Sequence, residues 1–187
     1  MTSLPPPLVS LIAQFESASA EANALASAAG DELFARRPGP QRWSAADCLA
    51  HLTATNERYL KYLERIIAEA KPAANPRYKP TLVGRIFKAQ MEPGRRFRFR
   101  APKVFVPPSE SGPRAEVLAA FQNSQQRMAR AIESAAALDF SRVTMRSPAS
   151  RFVKLNLWDA FQALAAHERR HLLQARRAID ADLSSRA

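Results

Sequence analysis

A chain of 187 residues, 47% of them apolar, is long enough for one domain with a proper core and short for two. Lys and Arg number 28 against 17 Asp and Glu, and the formal net charge of +11 favours nucleic acid, anionic lipid or acidic small molecules as partners; the basic residues are nevertheless spread along the chain, as on ordinary solvated faces. The one cysteine excludes an intramolecular disulfide, and no apolar run approaches the roughly 18 to 20 residues that span a bilayer as a helix.

The first helix is predicted from about Pro7 to Ala29. Leu8, Leu11, Ile12, Phe15, Ala22, Leu25 and Ala29 recur at steps of three and four, which makes one apolar face. Pro5 to Pro7 suit a helix entry and Gly30 an exit. The start, MTSLPPPLVSLIAQFE, lacks the basic opening of a signal peptide, so a cytoplasmic location is expected.

After a Pro-Gly-Pro loop, Ser44 reads as an N-cap and Asp47 as the acid of the first turn. The second helix should run from about Ala45 to Ala70, with Leu49, Leu52, Tyr59, Leu60, Leu63, Ile66 and Ile67 on its apolar side. Cys48 falls inside it as a small core residue. Residues 71–112 read as an irregular excursion rich in Pro and Arg, with a short helix near Leu82 to Ala89. Within it, RRFRFR alternates Phe97 and Phe99 with Arg96, Arg98 and Arg100, a strand-like pattern that could draw an anionic cosubstrate. A third helix is expected from Pro113 to Leu138, a polar connection over 139–154, and a fourth helix from Asn156 to about Asp180. These elements predict an all-α fold: one four-helix bundle domain over residues 1–187, with the long irregular insertion between its second and third helices.

The three histidines all fall in predicted helices. His167 and His171 are four apart, about 40° around the helix and one turn in height, where one ion can reach both imidazoles. His51, from another helix, can supply a third ligand. Three neutral imidazoles suit Zn(II), Ni(II) or Fe(II), and three protein ligands leave a position open for chemistry. Hydrogen-bonded core histidines would give the same spacing.

RWSAADCLAHL, with Trp43 opening the second helix and His51 inside it, resembles the first motif of DinB-like (YfiT-type) proteins. HERRHLLQARR, from His167 to Arg177, resembles their closing motif. The resemblance extends from the first helix to the last. It implies a four-helix bundle with His51, His167 and His171 on a zinc, nickel or similar ion. It also implies activities such as thiol-dependent transfer to an electrophile, maleylpyruvate isomerisation or hydrolysis, with an anionic low-molecular-weight thiol among the small-molecule partners. The Phe- and Arg-rich segment at 95–106 departs from the most compact members.

Gln174, three residues beyond His171, is a candidate to orient a ligand or bound water. Asp47, one turn before His51, could accept a hydrogen bond from it. Asp47, Glu57 and Glu168 are the nearby candidates for a general base, and none is assigned as catalytic. Two other functions stay open. His167-Glu168-Arg169-Arg170-His171 matches H-E-x-x-H, the zinc protease signature with Glu168 as base, although no further ligand follows at a usual distance. The arginine–phenylalanine segment suits a non-enzymatic module for nucleic acid or an anionic surface, although no nucleic-acid motif accompanies it. A homodimer through an exposed helix face is compatible with the pattern.

Overall fold

The computed structural model describes residues 3–94 and 111–184. The expected apolar stripe of the first helix forms α1 (Pro6–Ala35), which buries Leu8, Leu11, Phe15, Ala22 and Leu25. The helix does not end at Gly30, as the sequence suggested. Gly30 takes φ 64, a left-handed value that only glycine adopts freely, and the chain kinks and resumes as helix to Ala35. The added turn places Phe34 fully inside the core, which gives the restart its driving force.

Helix α2 (Ala45–Glu69) begins at the expected N-cap Ser44, and Asp47 turns that cap into a reciprocal capping box. Ser44 Oγ accepts from Asp47 N–H at 3.0 Å, and Asp47 Oδ2 accepts from Ser44 N–H at 3.0 Å. The excursion that follows contains α3 (Leu82–Met91), close to the expected short helix, capped by Thr81 Oγ1, which accepts from Gly84 N–H. The RRFRFR strand and its neighbours at 95–110 lie outside the described residues.

Helix α4 (Arg114–Ser134) ends a turn earlier than expected; Ala135 and Leu138 still join the core. The polar connection expected over 139–154 is instead largely a hairpin, β1 (Thr144–Ser147) and β2 (Ser150–Asn156), paired antiparallel with Met145 opposite Leu155. Alternation decides this. Met145 and Leu155 turn inward onto the core while Arg146 and Lys154 stand outward, so the polar composition concealed a half-buried sheet. Helix α5 (Leu157–Ser184) starts where Asn156 Oδ1 accepts from Asp159 N–H at 2.8 Å.

Helices α1, α2, α4 and α5 make the bundle, and α3 lies against α5 and β2. Two apolar clusters fill the interior. One gathers Phe15, Phe140 and Phe161 toward the hairpin; the other gathers Phe34, Leu49, Phe121 and Leu172 toward the start of α2. Between them lies a buried polar band. Asn56 follows Leu52 and precedes Tyr59 on α2, Ser124 and Gln125 fall between Phe121 and Met128 on α4, and Glu168 falls between Ala165 and Leu172 on α5. No described helix is long and apolar enough to cross a membrane.

Candidate metal site

The capping box fixes where α2 begins, and so the height of His51 about two turns in. The i, i+4 pair on α5 then faces it across the helix interface. One ring nitrogen from each of His51, His167 and His171 lies within 4.8 Å of the other two. Ring centroids are separated by 5.1 Å for His51 and His167, 4.6 Å for His51 and His171, and 4.5 Å for His167 and His171. The three histidines are therefore close enough to hold one metal ion.

The tightest approach is His51 Nε2 to His167 Nε2, at 3.2 Å. Two imidazole nitrogens bound tetrahedrally to one ion at about 2.0–2.1 Å stand about 3.3–3.4 Å apart. The observed separation fits that, and without a cation it equally fits one ring donating an N–H to the other. His167 Nδ1 and His171 Nδ1 are shielded from solvent and have no hydrogen-bond partner among the described residues. Orphaned buried ring nitrogens are uncommon in native proteins.

Electrostatics favours the neutral rings that can act as ligands. Burial, with the charges of His51 and Arg170, holds His167 well below the ordinary imidazole value. Burial, His167, His51 and Arg170 do the same for His171, while the Gln174 side chain opposes the shift. Arg170 is steadied by its Nη1, which donates to Gln90 O at 2.9 Å. Trp43 covers one side, its ring centroid 4.8 Å from that of His51 and 5.7 Å from that of His171.

Asp47 is held by Arg37 and Ser111. Arg37 donates to it through Nε at 2.6 Å and Nη2 at 3.0 Å, and Ser111 Oγ donates at 2.7 Å. Burial alone would raise its carboxyl; the bonds from Arg37, Ser44 and Ser111 outweigh it and hold the group below the usual value. It anchors the N-terminus of α2. Glu168 is almost wholly buried in the polar band, and its Oε1 accepts from Asn56 Nδ2 at 2.9 Å and Gln125 Nε2 at 2.8 Å. Burial raises its carboxyl to about 7 against the two amide bonds. Glu57 pairs with Arg127 at 2.5 Å on a half-exposed flank. Arg96, Arg98 and Arg100, read as an anion attractor, lie outside the described residues.

Sequence reasoning missed Asn56 and Gln125, the partners of Glu168, and Ser124, which accepts from Asn56 Nδ2 at 3.1 Å. Their signal was present: each is a polar residue where the apolar stripe of its helix requires a core position. Arg170 was missed because a charge inside an arginine-rich helix carries no distinguishing pattern.

The family model of the DinB superfamily matches residues 14–175. Comparison with curated proteins and with solved structures finds no match.

Proposed function

The chain belongs to the DinB superfamily, and from that premise we propose that it binds one divalent metal ion through His51, His167 and His171 and acts as a metal-dependent enzyme on a bound thiol or water. The observation that carries the reading is the convergence of three ring nitrogens, one from each of His51, His167 and His171, within 4.8 Å of one another across the α2–α5 interface. Three imidazoles favour zinc or nickel, with iron(II) compatible. When bound, such an ion supplies Lewis acidity and lowers the pKa of a coordinated thiol or water.

The chain's own groups do the rest. Burial disfavours the protonated forms of His167 and His171, and Trp43 shields one side of the cluster from solvent. Arg170 adds a positive charge beside both rings, which suits an anionic low-molecular-weight thiol as cosubstrate. Thiol S-transfer and hydrolysis are the two reaction classes this arrangement serves. A cytoplasmic setting, where such thiols stay reduced, accords with the first. The zinc-protease reading loses support because Glu168 Oε1 is held by two amides between α2 and α4.

Metal analysis of purified wild type beside His167→Ala tests the site. Wild type should carry about one ion per chain and His167→Ala far less; equal contents would remove the site. A panel of low-molecular-weight thiols with an electrophile, run beside ester and amide substrates, then separates transferase from hydrolase.

A further inference from the structure

Three aliphatic side chains on one short helix stand in water. Leu82 is 74% exposed, Val83 52% and Ile86 57%. The opposite side of α3 is used for packing: Gly84 is buried against α5, and Phe87 lies on the core. On the adjoining hairpin, Phe152 is 83% exposed. Single exposed apolar residues are ordinary, but three within five positions on the outer face of one amphipathic helix are not.

The charge around them is mainly basic, with Asp159 buried beneath the start of α3 and Glu92 at its end paired with Arg169. Residues 71–91 contain five Lys or Arg and residues 140–158 contain four, with no Asp or Glu in either stretch. The two stretches are bound together. Ser141 N–H donates to Arg77 O at 3.1 Å, Asn156 Nδ2 donates to Lys79 O at 3.0 Å, and α3 packs on β2. Asp139, just outside, takes up Arg77 and Arg142. Lys79, Arg85, Arg146 and Lys154 are exposed. Arg146 and Lys154 are register partners across the hairpin, which sets two basic side chains side by side.

From this combination we infer that the outer face of α3, with the hairpin beside it, is a docking surface for an anionic phospholipid bilayer. A bilayer interface takes both components at once: aliphatic side chains enter the boundary between headgroups and acyl chains while Lys and Arg meet the phosphates. A second copy of the same face would set cations against cations. Nucleic acid would use the cations but gains little from Leu, Val and Ile, which offer no stacking face. The inference does not depend on the metal site.

Vesicle flotation with the full chain tests it. The protein should float with vesicles of phosphatidylcholine mixed with phosphatidylserine, not with phosphatidylcholine alone, and high salt should weaken binding. Lys79→Ser with Arg85→Ser should cost roughly tenfold or more in partitioning. Leu82→Ser with Ile86→Ser should cost a similar factor with the charge unchanged. As these side chains are exposed, circular dichroism should match wild type. A direct readout is Ile86→Trp, whose fluorescence should be quenched by acyl chains carrying bromine. No binding to the anionic vesicles would overturn the inference. So would binding unaffected by the aliphatic substitutions, an unquenched indole, self-association through this face, or preference for duplex DNA or RNA insensitive to Leu82 and Ile86.

Discussion

Replacing Gly84 by Ala sets two effects of opposite sign against each other. In the interior of an exposed helix the change stabilises by about 1 kcal/mol, because glycine has more backbone freedom to lose. At this position, however, a Cβ would overlap Asp159 Cγ and both of its carboxylate oxygens. That carboxylate is 1% exposed and holds the start of α3, accepting from Thr81 N–H at 3.1 Å and from Thr81 Oγ1 at 2.6 Å. Moving it away sacrifices hydrogen bonds to a buried charge worth about 1.5–3 kcal/mol each. The expected result is a net loss of about 2–4 kcal/mol, measured by urea unfolding of Gly84→Ala beside wild type. In an Asp159→Ala background the obstruction is gone, so the same substitution should be neutral or stabilising. The two changes should therefore couple by several kcal/mol in a double-mutant cycle. A rise in stability for Gly84→Ala alone, or an equal loss in both backgrounds, would refute the reasoning.

Asp47, held below the ordinary carboxylate value, binds its proton more readily in the unfolded chain than in the folded one. Its contribution is present above the usual value of 3.8 and is lost as pH falls through the folded value, so acid titration of stability should be shallower in Asp47→Asn, which should cost about 1–3 kcal/mol at pH 7. Glu168→Ala should destabilise by about 2–4 kcal/mol by orphaning the Gln125 amide and leaving the Asn56 amide with Ser124 alone, whereas Glu168→Gln should unfold close to wild type and keep its metal content; a large loss of metal in Glu168→Gln would return this residue to the site. Burial pushes the Cys48 thiol far above its normal range, so a thiol reagent should label it only after unfolding; rapid labelling of the native protein would contradict its placement.

Wherever a local signal decides structure, the sequence could be read. Ser44 with Asp47 announced the start of α2, the leucine and phenylalanine stripes announced the bundle, and the spacing of His167 and His171 announced a shared face. What could not be read depends on contacts between distant stretches. Gly30 looked like a helix end because nothing nearby reveals that Phe34 has a core to enter. The hairpin was hidden because Met145 and Leu155 count as inward residues only once paired. The hold of Arg37, ten residues upstream, on the Asp47 carboxylate crosses the Pro-Gly-Pro loop and has no local signal. His51, 116 residues from His167, could be named from the sequence as a possible third ligand, and the family resemblance strengthened that reading.

The buried polar band also restricts how the helices can slide past one another. Two oily clusters stacked end to end would tolerate a one-turn slip of α5 against α2 and α4, since leucine can replace leucine. Glu168 prevents this: shifted by a turn, its carboxyl would leave both amides and enter hydrocarbon, while Asn56 and Gln125 would be stranded in turn. The neighbouring imidazole, His167, rides on the same helix and inherits this fixed axial position.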